Sequence, residues 1–405
     1  MADSSYSLLM DEAILEHGSP NMLPYQVPRG HGPGFSSEGY LFTLGIVKGR
    51  LLYQYPWGGV LLTLPAVAVF EAAGLRIAPG GIYDVEHEGR IQEYLTTILC
   101  AFIVWLFFDI AALTLPLGWS FTMAISAAFG TQIWSSASRS LWPHNWNLLL
   151  LTVAISLLVR ERARPITLST ALAWACFARP QCIPTAAIIG IYLWIEYGFE
   201  CFTEYAIVGA VWGAVFAFVM EWYFGQLMPP ICQYGVDLSG EFFRRLEGVL
   251  ISPARGLVVF VPITLVPIYL GVRYWRVLPG RRLVILSVAA IALEIVMNAS
   301  WQCWWGGSSY GPRLLVETIP WLLLLAILSI KPFLGDRQVS MQACAAVMSC
   351  AIMLLILSVV MNGVGAFSVA ANVDWNQSVN DCSLRNPPAL WQWQRPPFLA
   401  WAQNS

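Results

Sequence analysis

The chain has 405 residues, 57% of them hydrophobic and 11% charged. A soluble domain carries about 25% charged residues, so this composition excludes a water-soluble globule for the bulk of the chain. The net charge of −2 supplies no long-range field for nucleic acid or an acidic partner.

Residues 1–56 are polar, rich in Pro and Gly, and mixed in charge. They open without a charged stretch leading into an apolar one, so no signal peptide is expected. Asp11 to His17 predicts a short helix ended by Gly18-Ser-Pro20. Residues 57–75 are apolar, but they come after Tyr55-Pro56 and contain Pro65, which favours a helix lying at the interface over a full span. Apolar runs continue at 92–115, 117–135, 146–160, 166–179, 181–197, 204–224, 256–275, 283–304, 314–330 and 341–364. A membrane span takes roughly 17–25 apolar residues, so about ten spans are expected. The two runs flanking Arg179-Pro180 are short and predict a helix pair meeting at that turn. The fold expectation is an all-α polytopic transmembrane bundle in three regions. Residues 1–91 form a loop region with juxtamembrane helices, 92–366 the helical domain, and 367–405 a tail packing on the membrane surface.

The basic residues fall in every second gap between apolar runs. Arg160 to Arg164 fill one, Arg273 to Arg282 another, and Lys331 with Arg337 a third. That alternation obeys the positive-inside rule and places these gaps in the cytosol. The N-terminal region, Ser135 to Asn145, Gly225 to Arg255, Trp304 to Arg313 and the tail then face outward. The expected setting is a multi-pass membrane protein with both ends on the side away from the cytosol. Nine cysteines show no CxxC spacing, which argues against zinc and redox motifs. Cys232 and Cys382 lie in outward segments and are a candidate pair.

The outward loops carry the chemistry. Trp304-Trp-Gly-Gly-Ser-Ser-Tyr-Gly-Pro-Arg313 is a tight turn ending in a guanidinium, the group best shaped to clamp a phosphate. Arg255, in Ser252-Pro-Ala-Arg-Gly256, and Arg139 precede spans on the same side. Arg179 lies deep in an apolar stretch, where an isolated charge marks a pathway or a ligand. Lys48, Arg50 and Arg90 add cations to this face, and Glu38, Glu86 and Glu88 are their alternative partners. His144 is a candidate base or phosphate partner, although a lone His is more often structural. Asp109 and Glu294 are expected to face protein or water rather than lipid. Asp3 could take a proton from a hydroxyl, whereas an acid so near a terminus is more often solvated and inert.

In order along the chain, Asp3 to Tyr6, Tyr55-Pro-Trp-Gly58, Ser138 to His144, Arg179-Pro180, Ser252 to Leu257 and the loop into Arg313, Glu317 and Pro320 resemble the GT-C membrane glycosyltransferases. The nearest likeness is to bacterial protein O-mannosyltransferases and aminoarabinose transferases (the family 39-like branch). The resemblance implies a sugar donor on a polyprenyl phosphate, inverting transfer at the outer face, and an unknown glycan, lipid or protein acceptor. It makes Asp3 the base. Arg179, Arg255 and Arg313 become the phosphate site, with His144, Lys48, Arg50 and Arg139 assisting. No cofactor is firmly implied, and the paired acids that hold a divalent cation in some relatives are not evident. The family carries a helix ahead of the acidic loop, whereas residue 1 here opens that loop. A catalytically degenerate paralogue is therefore one alternative. A transporter or flippase of a lipid-linked or anionic solute is the other.

Overall fold

The computed structural model describes residues 3–32, 34–160, 164–233, 237–238, 240–379 and 387–400. It is mostly helical. Helix α1 (Ser7–His17) stops where Gly18 adopts φ 63° and returns its N–H to Ile14. The next elements depart from the all-α expectation. Strands β1 (Leu44–Val47) and β2 (Arg50–Tyr53) form an antiparallel hairpin. Lys48 and Gly49, both at positive φ, make its two-residue turn, the geometry that matches strand twist. Helix α2 (Gly58–Ala72) then leads to α3 (Val85–Ala112), whose first turn is capped by Asp84 accepting from the Glu86 and His87 amides. The 91/92 boundary thus falls inside α3.

Helices α4 (Leu117–Phe129), α5 (Gln132–Ser135), α6 (Pro143–Val159) and α7 (Pro165–Ala178) come next, with proline opening α6 and α7 where a missing N–H costs nothing. Then α8 (Ile183–Tyr197) and α9 (Phe199–Phe224) run as a pair, succeeded by α10 (Phe242–Ile251). The run at 256–275 is not one helix. Pro262 breaks it into α11 (Leu257–Phe260) and α12 (Leu265–Arg273), because proline can neither donate to the ladder nor tolerate the preceding turn. Helices α13 (Arg281–Ala299), α14 (Ile319–Gly335) and α15 (Met341–Phe367) complete the bundle, with a 3-10 turn over Arg313–Thr318 leading into α14.

Among the described residues, five helical segments are long and apolar enough to cross a membrane: Val85–Ala112, Phe199–Phe224, Arg281–Ala299, Arg313–Gly335 and Met341–Phe367. Arg313–Gly335 is buried over most of its apolar window and forms the centre, whereas only 6% of the corresponding window is buried in α9 and in α15. A helix apolar all round is expected in both settings, one inside protein and the other against lipid.

Polar contacts gather at the two ends. At one end Lys48 Nζ donates to the Glu221 and Trp222 carbonyls that end α9 (3.1 Å each). Arg139 donates to the Gly365 and Ala366 carbonyls that end α15, and Arg245 to the Ala299 carbonyl that ends α13. At the other end Arg160 pairs with Asp109, Arg282 with Glu196 (2.7 Å), and Tyr274 with Asp336 (3.0 Å). The basic gaps and the glycine- and tryptophan-rich loops therefore lie at opposite ends. The 370–379 and 387–400 segments pack into a second core with Trp304, Trp305 and Phe260, so the tail covers the arginine loops. Cys232 is a free thiol, which removes its pairing with Cys382, and Cys303 is disulfide-bonded. Cys382 lies outside the described residues.

Asp11 on α1 is fully buried, and neither carboxylate oxygen has a hydrogen-bond partner. Burial, with Glu88 and Glu71 adding to it, holds its carboxyl well above the usual range. The folded protein keeps a proton that the unfolded chain releases near pH 4. This stability is fully present below that pH and is lost as pH rises. Asp11→Asn should therefore melt higher than the parent protein at pH 8, with the gap closing toward pH 4, in thermal unfolding scans across that range.

Candidate active site at the hairpin end of the bundle

The segment holding Asp3 is fixed from several sides. The Ser4 hydroxyl donates to Gln92 Oε1 (3.1 Å), Gln92 Nε2 donates to the Ser4 carbonyl (3.0 Å), and the Ser140 hydroxyl lies 2.8 Å from that of Ser4. The Tyr6 and Leu8 amides both donate to the Glu88 carboxylate (2.9 and 3.0 Å). Tyr6 sits at φ 70°, a conformation that costs a non-glycine residue about 1–3 kcal/mol and persists only where surroundings impose it. The carboxylate of Glu88, in the first turn of α3, supplies that imposition. The expected solvated terminal acid is thus an ordered group.

Asp3 is held in turn by two tyrosines at the end of the hairpin. The Tyr53 hydroxyl donates to the Asp3 carbonyl (2.5 Å) and the Tyr55 hydroxyl to Asp3 Oδ1 (3.0 Å). Burial first, and Asp3 second, push the Tyr55 hydroxyl far above its ordinary range, so it stays protonated and can donate. Asp3 Oδ2 lies 3.1 Å from an Arg313 guanidinium nitrogen, and the Asp3 side chain keeps 24% exposure. Arg313 itself sits 4.2 Å over the Trp142 ring and donates to the Gly306 carbonyl (2.9 Å). Its Nε has no partner. The loop reaches this shape because Gly306, Gly307 and Gly311 all adopt positive φ.

A second cluster hangs from the same 3-10 turn. Glu317 Oε1 accepts from Arg179 (2.9 Å), and the His144 ring lies 2.8 Å away. Asn147 Nδ2 stands 3.4 Å from the same oxygen. Arg179 also contacts the His144 ring and the Gln181 amide. Arg179 is placed by the α7–α8 turn, where Pro180 forbids a continuous helix. Gly58 lets α2 press onto the end of α7: a Cβ there would lie 2.3 Å from the Ala178 nitrogen. The Tyr-Pro-Trp-Gly motif therefore seats the Arg179 turn. Glu294 is buried nearby, 3.3 Å from the Thr185 hydroxyl, which places it against protein.

Arg255 stands behind these groups. Its guanidinium donates to the Trp305, Ala254 and Gly307 carbonyls and to Asn376 Oδ1, at 2.8–3.1 Å. Burial, with Arg313 adding to it, pushes its pKa down to about 9. With four of five N–H groups engaged, Arg255 braces the Trp304–Arg313 loop more than it offers a phosphate clamp. Lys48, Arg50 and Arg139 are not brought to Asp3. Lys48 and Arg139 cap helix ends as above, and Arg50 stacks on Tyr223 at 5.4 Å. Arg90 pairs with Glu86 (2.5 Å).

Sequence reasoning gave no site role to Tyr55, Trp142 or Glu317, although all three lie in the quoted motifs. A carboxylate at the mouth of an apolar run was the readable signal for Glu317. The chain matches no family model, no curated protein and no solved structure.

Proposed function

We propose that the chain is a GT-C-type inverting glycosyltransferase of about ten spans, moving a sugar from a polyprenyl phosphate to an acceptor at the outer face of a bacterial inner membrane. The observation that carries this reading is the meeting of Asp3 and Arg313, 3.1 Å apart, at one end of a bundle of apolar helices. A lipid-linked sugar presents its phosphate at that depth, and a carboxylate beside the phosphate site is where an acceptor hydroxyl must lose its proton.

The acceptor O–H gives its proton to an Asp3 oxygen, and its oxygen bonds to the anomeric carbon from the face opposite the phosphate. The bond from that carbon to the phosphate oxygen breaks, and its electron pair leaves with the polyprenyl phosphate. Arg313 meets the developing charge, which is electrostatic stabilisation of the transition state. Tyr55 aims the carboxylate. In the resting protein Arg313 is paired with Asp3, so an arriving phosphate competes for the guanidinium and frees the acid to act as base. Arg179 and His144 are buried against Glu317, four residues after Arg313.

Membranes carrying Asp3→Asn should transfer radiolabelled sugar from polyprenyl phosphate at least a hundredfold more slowly than membranes of the parent protein. Equal transfer by the two would remove Asp3 from the mechanism. The deep Arg179–Glu317 pair also suits a transporter of an anionic solute. Labelling of the Arg179 turn from alternating sides of the membrane would favour that reading.

A further inference from the structure

Beside the tip of the β-hairpin an open hollow of 350 Å³ is lined by Lys48, Arg50, Phe218, Glu221 and Trp222. Pockets that hold small ligands run from about 300 to 1,000 Å³. The hollow joins the β1–β2 turn to the last turns of α9. Lys48 places two of its three N–H donors on the Glu221 and Trp222 carbonyls, so its charge answers the negative end of that helix. Two charges of opposite sign remain. The Arg50 guanidinium rests over the Tyr223 ring at 5.4 Å and has no ion pair among the described residues. The Glu221 carboxylate has none there either, although it lines the same hollow. A cation and an anion that share one hollow without pairing are complementary to a ligand carrying both signs.

On the α9 side the hollow opens onto an apolar stripe. Ile207, Val211, Val215, Phe218 and Trp222 are all exposed, and they recur at spacings of four, four, three and four, one face of a helix. Only 6% of the apolar window of this helix is buried, the pattern of a helix set against lipid. The Phe218 and Trp222 rings are neighbours, with centroids 6.2 Å apart. From Ile207 to Trp222 the helix rises roughly 22 Å at about 1.5 Å per residue. One leaflet's share of a roughly 30 Å hydrocarbon core is about 15 Å, so the stripe is long enough for an acyl chain. Trp222 stands where the stripe meets the charges, the headgroup level at which amphipathic rings collect.

We propose that this hollow binds an ethanolamine phospholipid, whose headgroup joins a phosphodiester to a primary ammonium. The phosphate accepts from Arg50, the ammonium donates to Glu221, and an acyl chain lies along the Ile207–Trp222 stripe. The charges select this headgroup. A glycerol headgroup brings the phosphate without a cation and leaves Glu221 unpaired beside an anion. A choline headgroup brings a cation that has no N–H to donate. A polyprenyl phosphate has no ammonium, so the hollow is not the site of the sugar donor. The inference rests on the membrane setting and not on the transferase reading.

The test is native mass spectrometry of the whole protein in detergent, titrated with ethanolamine, choline and glycerol phospholipids of matched acyl chains and with free phosphoethanolamine. The unaltered protein should bind the ethanolamine lipid about three- to fivefold more tightly than the other two, the scale of one water-exposed ion pair. Glu221→Gln should abolish that preference, and Arg50→Gln should weaken the ethanolamine lipid by a similar factor. Free phosphoethanolamine, with no chain for the stripe, should not displace the lipid. Equal binding of the three lipids by the unaltered protein would overturn the proposal, as would a preference that survives in Glu221→Gln. Displacement by free phosphoethanolamine would overturn the lipid as occupant in favour of a soluble zwitterion. The headgroup comparison needs no variant, so misfolding of either substitution leaves the proposal open to refutation.

Discussion

Arg313→Ala is expected to lower sugar transfer by roughly 10²–10³-fold, the usual effect of deleting one preorganised donor to a developing oxyanion. Arg313 sits over Trp142, bonds the Gly306 carbonyl and pairs with Asp3. On the proposed transferase reading, its removal loses the phosphate clamp as well as the partner that places the acid. Arg313→Lys keeps a charge but not the planar fork, and should fall between the two. Assays on membranes matched for protein content separate this from loss of insertion. Activity within threefold of the parent protein for Arg313→Ala would remove the phosphate assignment.

Glu317→Leu should produce the largest fall in stability. One carboxylate oxygen there serves both Arg179 and the His144 ring, and all three side chains are buried. Stripping the anion leaves a buried guanidinium without a counter-charge, a change that costs about 3–5 kcal/mol. Thermal unfolding in detergent should show a fall of several degrees or failure to accumulate. Arg179→Met added to Glu317→Leu should recover part of that loss, because it removes the stranded charge. A double variant as unstable as the sum of the singles would show that the pair is not coupled.

Much of the helix pattern was legible because apolar runs need no partner to be recognised. The runs at 341–364 and 204–224 correspond to α15 and α9 within a few residues. The run at 256–275 misled, since its composition stays apolar through Pro262 while its backbone cannot stay helical. The β-hairpin was missed although Lys48-Gly49 between apolar residues is a turn signal. Two strands of four residues are short against a helical background.

The site was legible in part, as residue types in loops, but not in its pairings. Asp3 reads as a solvated acid because its partners Tyr55 and Arg313, and the Gln92 that anchors its neighbour Ser4, are remote in sequence. Only the folded chain brings them together. Arg255 reads like Arg313, a guanidinium after a tight turn. Its donors are taken by carbonyls from residues 254, 305 and 307 and by the Asn376 amide, a set no local pattern announces. Lys48 and Arg139 read as ligand cations on an outward face. The ends of α9 and α15 present carbonyls that need donors, and these two side chains supply them.

The most direct measurement is equilibrium binding of polyprenyl phosphate, without sugar, to the purified protein and to Arg313→Ala and Lys48→Ala. Binding by the parent protein and Lys48→Ala alike, with at least a tenfold loss in Arg313→Ala, is the predicted result. Equal affinity in all three, or none in the parent protein, would contradict the placement of the lipid phosphate beside Asp3.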